Sequence, residues 1–363
     1  MRTNSPSPLT ESRGGSVNAN KLKSRLITQE GDKGRLQLER EVLKLRGQVS
    51  ELQSVNRLLH ADLDLSERRA EVVESLREQR AFEVWERQRK KMSGSHSAIA
   101  VLSDWHWEET VFKDQTLGLN EYSPEIARRR AKHTFQKIAE YYDRYTVQAE
   151  ELIVAVLGDM ITGFIHEELE ETNSLSPMQA MFEVLEVLVS GLEFLSKETK
   201  SKKILVPCCF GNHSRTTKKR RVKTEWRHSY EYAMYERMQA LFAKHPKIRI
   251  KTAKGYFNYV DCQQRVIRFH HGHSIKFCGG VGGITIPVNK KIARWDISRR
   301  ADLDVFGHFH GHLEGGKWFC NGSLIGVTEY SLDLGCDPAK PTQGFIVYDR
   351  AYGVRTVARI ISP

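Results

Sequence analysis

Val101-Leu102-Ser103-Asp104-Trp105-His106 decides how this chain is read. The stretch is apolar at first and ends in an Asp and a His two residues apart. Ile99–Ser103 reads as a short buried strand, and side chains alternate along a strand. With extended backbone continuing past it, Asp104 and His106 point the same way and reach one ion at the strand's C-terminal end. An Asp-x-His triplet is a weak signal by itself. Its weight comes from four further polar clusters downstream.

Those clusters are Gly158-Asp159, Gly211-Asn212-His213, His271-Gly272-His273 and Gly307-His308-Phe309-His310. Each places Asp, Asn or His at the end of a predicted strand or in a turn opened by glycine. Glycine permits the tight backbone that aims the next side chain into a cleft. Carboxylate, imidazole and amide oxygen suit divalent metals of the first transition row, and no thiolate belongs to any cluster. Taken singly, Asp159 reads as a turn or cap residue, and His308 and His310 as surface residues. It is the set that points to a metal centre.

The body reads as strand–helix alternation followed by consecutive strands. Strands are predicted at Ile99–Ser103, Leu152–Leu157, Lys203–Cys208, Ile248–Thr252, Tyr256–Val260, Val266–His270, Leu303–Phe306, Gly316–Asn321 and Gly344–Tyr348. Ser123-Pro124-Glu125 starts a helix that runs to about Ala149, with Ser as N-cap and Pro in the first turn. Further helices are predicted at Pro177–Lys197 and Glu225–Ala243. This order argues for an α/β fold of two packed sheets with outer helices.

The five clusters, in this order, resemble the motifs of the calcineurin-like metallophosphoesterases over about residues 97–350. The resemblance implies a four-layer αββα sandwich with two metal ions at the strand ends. It implies Asp104, His106, Asp159 and His310 as ligands of one ion. Asp159, Asn212, His271 and His308 would serve the other, so Asp159 bridges. It makes His213 the residue that contacts the phosphate and protonates the leaving group. The partner that orients His213 is not identifiable from sequence. His270 and His273 compete with His271; the family's His-Gly-His pattern favours the first His. His273 reads as a support behind the ligands, His270 as core or solvent, and His166 as loop. Asn321-Gly322-Ser323-Leu324 resembles the family's Asn-Gly-Ser turn. Two metals about 3.5–4 Å apart clamp both oxygens of an in-line displacement at phosphorus and make water acidic near neutrality. Mn is expected first, with Fe, Zn, Co or Mg as alternatives.

Ahead of the body, residues 1–20 are rich in Ser, Asn, Pro and Gly and read as a disordered tail. Residues 21–92 read as a helical coiled-coil segment, and 97–363 as the metallophosphoesterase domain. Val42, Val49, Asn56, Leu63 and Ala70 fall at heptad position a. Leu38, Leu45, Leu52, Leu59 and Val73 fall at d, with Ser66 breaking the series. A homodimer or higher oligomer through residues 38–73 is therefore expected. The alternative is a lone amphipathic helix packed on the body.

The sequence of 363 residues carries 56 Lys and Arg against 45 Asp and Glu, a net charge of +11. That balance suits a polyanionic partner. Six cysteines show no paired CxxC spacing, so reduced, buried thiols are expected and a zinc–thiolate site is not. No apolar run is long enough for a membrane span and no signal peptide is visible, so a cytoplasmic protein is expected (host cytoplasm if phage-encoded).

The motifs name a reaction and leave the substrate open. After His213 come Arg215, Lys218, Lys219, Arg220, Arg221 and Lys223, cations that could track phosphates beyond the scissile one. Trp226 and Tyr230 could stack on bases or simply pack. Gly279–Gly283, ahead of Lys290, Lys291, Arg294 and Trp295, reads as a flap or a plain loop. Within the family the likeness is to DNA-repair-type exonucleases and phage-encoded members. It implies a Mn-dependent nuclease acting on DNA. The alternatives are a phosphatase or phosphodiesterase on nucleotides or phosphoproteins, and a non-catalytic nucleic-acid-binding module.

Overall fold

The computed structural model describes residues 32–78, 96–146, 149–277 and 283–363. The expected tail 1–20, the linker before Ser97 and the glycines 279–282 lie outside them. The chain divides into two compact units, Met1–Arg89 and Lys90–Pro363.

In the first unit a 47-residue helix, α1, spans Asp32–Glu78. Its large apolar side chains between Leu38 and Leu65 are exposed.

In the second unit the chain alternates strand and helix before turning to strands alone. In order come β1 (His96–Leu102), α2 (Pro124–Tyr145), β2 (Glu151–Val156), α3 (Glu168–Thr172), α4 (Pro177–Glu198) and β3 (Lys203–Cys208). A 3₁₀ turn at Glu225–His228 precedes α5 (Tyr230–Leu241), β4 (Ile248–Thr252), β5 (Asn258–Cys262) and β6 (Arg265–Phe269). Then follow α6 (Thr285–Ser298), β7 (Leu303–Phe306), β8 (Leu313–Gly315), β9 (Trp318–Cys320), α7 (Glu329–Asp333), β10 (Thr342–Asp349) and β11 (Gly353–Ile361).

The strands form two sheets, ordered β11-β10-β1-β2-β3-β4 and β5-β6-β7-β9-β8. β1, β2, β3 and β4 run parallel, as do β6, β7 and β9. Parallel strands covered on both faces need continuous apolar sequence. His96–Leu102 and Leu152–Val156 meet that need, being buried throughout.

Three apolar clusters separate four layers. Side chains of α2, α4 and α5, among them Phe135, Leu188 and Tyr235, pack on one face of the first sheet through Ala100, Val154 and Val206. Ile99, Val101, Ile153 and Ala155 on its other face meet Ile267, Phe269, Leu303 and Val305 of the second sheet. Val288 and Ile292 of α6 cover the far face at Phe306 and Trp318. This is the αββα sandwich that the motifs imply.

Several elements differ from the sequence reading. The helix expected over 225–243 is broken at Ser229, whose hydroxyl accepts the Tyr232 N–H at 3.2 Å and starts α5 afresh. Local capping of this kind competes with helix continuation. The strand expected at 316–321 is β9, and an unexpected strand, β8, precedes it and pairs with it antiparallel. Helix α2 ends at Tyr145, short of Ala149. Helix α6 was not expected at all. Pro287 lies in its first turn, where a missing N–H costs nothing. Lys290, Lys291, Arg294 and Trp295, which follow the glycine segment, sit on this helix.

Candidate metal centre

All five polar clusters lie just past the C-terminal ends of parallel strands: β1, β2 and β3 in one sheet, β6 and β7 in the other. In open α/β sheets this is where ligands bind.

The convergence of Asp104 and His106 does not come from strand alternation. β1 stops at Leu102, and both residues have left-handed backbone, with φ of 55° and 49°. Beyond the strand the segment runs beside the next cluster. Asp104 N–H donates to the Gly158 carbonyl at 3.0 Å, and His106 N–H to that of Asp159 at 3.1 Å. Asp159, His308 and His310 are left-handed too, with φ of 49°, 73° and 55°. Such conformations cost on the order of 1–3 kcal/mol each and gather where function demands them.

Close backbone approach is the other requirement. Gly158 has φ +88°, and a Cβ there would meet Gly211 N at 2.3 Å. A Cβ on Gly307 would meet Asp104 Oδ2 at 2.3 Å. With glycine in place, the His308 N–H donates to the Asp104 carboxylate at 3.0 Å.

Three donor groups result, each with its ligand atoms within 4.8 Å of one another: Asp104, His106 and His310; His106, Asp159 and His213; Asp159, His271 and His308. His106 Nε2 and His310 Nε2 face each other at 3.2 Å, and His310 Nε2 lies 3.5 Å from Asp104 Oδ1. His271 Nε2 lies 2.8 Å from Asp159 Oδ2. Its Nδ1–H donates to the Leu157 carbonyl at 2.8 Å, which orients the ring and turns Nε2 on the site. Asn212 Oδ1 is buried without a donor among the described residues. A buried amide oxygen left this way is costly unless something positive meets it. The donor set and this orphaned acceptor fit a pair of divalent cations.

The electrostatics set His271 apart from the other three imidazoles. Burial lowers His106 and His308 well below the ordinary imidazole value and brings His310 to about 4, so their lone pairs are free at neutral pH. Burial also pulls on His271, but the Asp159 and Asp104 carboxylates overcome it and hold this imidazole at about 9. Burial opposes ionisation of Asp159, yet His271 and His213 keep it well below the usual carboxylate range. Burial pushes Asp104 up to about 7.

Four residues that the motifs did not signal hold this arrangement. Glu231, buried in the first turn of α5, accepts N–H bonds from Met160 at 2.5 Å and Gly211 at 2.7 Å. It thereby ties the Asp159 turn to the Asn212 turn. Glu108 accepts from the Thr162 and Gly163 N–H groups at 3.0 and 2.8 Å. Thr162 in turn contacts two site imidazoles. Its carbonyl accepts the His213 Nδ1–H at 3.0 Å, and its hydroxyl lies 3.1 Å from His106 Nδ1. The same hydroxyl donates to Glu109 at 3.1 Å, so it accepts from His106 and leaves Nε2 as the donor atom for a metal. Burial raises Glu108, Glu109 and Glu231 each to about 7.

His213 is drawn in further by its own N–H, which donates to Asp159 Oδ1 at 2.8 Å. The exposed His166 ring lies 6.3 Å from it. His270 is core: it stacks on Phe306 and sits 3.4 Å from Asp304. His273 stands behind the ligands, 3.5 Å from Glu225, with its ring 5.4 Å from that of His271. Asn321 of the Asn-Gly-Ser turn donates to Ser103 Oγ at 2.8 Å, next to Asp104.

The basic segment after His213 is less free than its sequence suggests. Arg220 forks onto the buried Glu225 at 2.7 and 3.0 Å. Arg215 donates to the carbonyls of Asn212 and Thr217 and closes its own loop. Lys218 lies 3.2 Å from Glu167, with both side chains in solvent. Lys219, Arg221 and Lys223 are exposed. Trp226 and Tyr230 are partly buried against the helical core, with Trp226 packed on Tyr232.

No known family profile matches the sequence, and no curated protein matches it. Solved structures do align. An archaeal phosphodiesterase shares 13% identity over 73% of this chain and 99% of its own, with a TM-score of 0.33. A hypothetical protein from Pyrococcus horikoshii shares 13% over 73% and 88%, with a TM-score of 0.37. A dimetal phosphatase from Danio rerio shares 10% over 73% and 99%, with a TM-score of 0.31. Two facing sheets, helices on both outer faces and an Asp shared between donor groups at the strand ends are the αββα arrangement that the sequence motifs imply.

Proposed function

We propose that the chain is a two-metal phosphoesterase that hydrolyses phosphate diesters, with DNA as substrate and Mn as the metal. The observation that carries this reading is the position of Asp159, whose carboxylate belongs both to a group with His106 and to one with His271 and His308. Asp104, His106 and His310 would hold one ion, and Asn212, His271 and His308 the other, with Asp159 between them. When bound, the two ions would activate water and neutralise charge developing at phosphorus.

The chain's own residues supply the rest. His213 is held through its Nδ1–H, which leaves Nε2 to take up a proton and, as the imidazolium, pass it to the departing oxygen. Thr162 fixes that tautomer. The exposed Lys219, Arg221 and Lys223, in the segment that follows His213, supply a cationic track for a polyanion. The second reading, a phosphatase or phosphodiesterase on nucleotides or phosphoproteins, is favoured by the capture of Arg215 and Arg220 by protein acceptors. A binding module without catalysis is disfavoured, since every donor position is filled.

The test is hydrolysis with Mn²⁺ of single-stranded DNA, duplex DNA, a bis-aryl phosphodiester and an aryl phosphomonoester, with Asp159→Asn as control. DNA and diester cleavage lost in the control supports the nuclease reading. Monoester turnover without DNA cleavage removes it.

A further inference from the structure

Helix α1 exposes a regular seam. Val42, Val49, Asn56 and Leu63 recur at heptad position a, and Leu38, Leu45, Leu52 and Leu59 at d. The apolar members are 37–67% exposed, Leu38 least and Leu52 most. We propose that a second copy of the same chain closes this seam as a parallel, in-register, two-stranded coiled coil.

Three features choose that occupant. First, β-branched Val at a combined with Leu at d favours two parallel strands over three or four. Second, Asn56 discriminates orientation. In a parallel in-register pair, position a faces position a, so Asn56 meets the partner's Asn56 and the two amides hydrogen-bond. In an antiparallel pair a faces d, and the amide would be buried against leucine with its bonds unmade. Third, Glu41 at g reaches the partner's Arg46 at e in the parallel register, an opposite-charge pair. Asp62 and the partner's Glu67 are like-charged in that register, and Ser66 interrupts d. The seam is therefore strongest from Leu38 to about Leu63. Pairing would tether two hydrolytic units and raise the local concentration of one site for a polymer already held by the other.

The experiment is sedimentation equilibrium of the full chain at micromolar concentration, together with two variants. Wild type is expected at twice the chain mass, and Leu45→Asp with Leu52→Asp at one chain mass. Asn56→Cys in a Cys336→Ser background, mildly oxidised, is expected to form a chain-to-chain disulfide on a non-reducing gel where Cys336→Ser alone forms none. A monomeric wild type overturns the proposal, as does a double variant that stays dimeric. A dimer in which Asn56→Cys fails to cross-link overturns the parallel register. None of these readouts depends on catalysis, so loss of the hydrolase reading would leave them intact.

Discussion

The Nδ1–H of His213 donates to the carbonyl of Thr162 at 3.0 Å. The Thr162 hydroxyl lies 3.1 Å from His106 Nδ1. One residue thus holds two imidazoles of the site, His106 through its side chain and His213 through its backbone. Thr162→Val should break only the first link. Metal affinity should fall about 10–100-fold, the usual effect of losing a partner behind a ligand. Thr162→Ser should restore it. Isothermal titration with Mn²⁺ measures both. Equal affinity in the Val variant would refute the role.

Glu231 holds two turns through backbone N–H groups, so truncation leaves two buried donors unpaired. Each orphan costs about 1–3 kcal/mol. Glu231→Ala is expected to lower the thermal midpoint and to weaken metal binding together. A variant that melts like wild type would show that the clamp is dispensable.

The metal-stripped protein should lose stability as pH rises from 7 to 9. Asp104, Glu108, Glu109 and Glu231, raised by burial to about 7, give up their protons at the lower end of this range and add little above it. His271 keeps its proton to about 9 against 6.5. In this range the folded chain binds more protons than the unfolded one, so raising pH favours unfolding. The buried His106, His308 and His310 act in the opposite sense, but only below about 6.5, where the unfolded imidazoles would charge. Saturating Mn²⁺, replacing the protons with cations, should remove the slope. Thermal melts across pH with and without metal test this. A flat or rising midpoint without metal would contradict it.

The two kinds of cation after His213 should separate. Neutralising Lys219, Arg221 and Lys223 is expected to weaken DNA binding and flatten its salt dependence, with turnover of a small diester unchanged. Arg220→Gln should instead lower the melting temperature, because the buried Glu225 loses its fork. An unchanged salt slope in the triple variant would refute nucleic-acid contact by this segment.

How much of this was legible in the sequence depended on how local each cause is. Asp104, His106, Asp159, Asn212, His271, His308 and His310 stand in strand-end turns, several opened by glycine, and those signals lie within a few residues. The reason given for Asp104 and His106 was wrong even so: left-handed turns, and not strand alternation, bring them together. Glu231 and Glu108 were illegible because their acceptors serve backbone donors 71, 20 and 54 residues away. Arg220 is a different case: its acceptor Glu225 is close in sequence, but the fork appears only once the 3₁₀ turn is folded. A run of cations in sequence does not say which of them the protein has already used.

The central claim is that Asp159 joins two metal sites. Metal content by mass spectrometry after loading with Mn²⁺ and desalting tests it most directly. Two ions per chain in wild type, and loss of at least one in Asp159→Asn with the fold retained by circular dichroism, is the predicted result. One ion or none in wild type, or two held equally well by the variant, would contradict it.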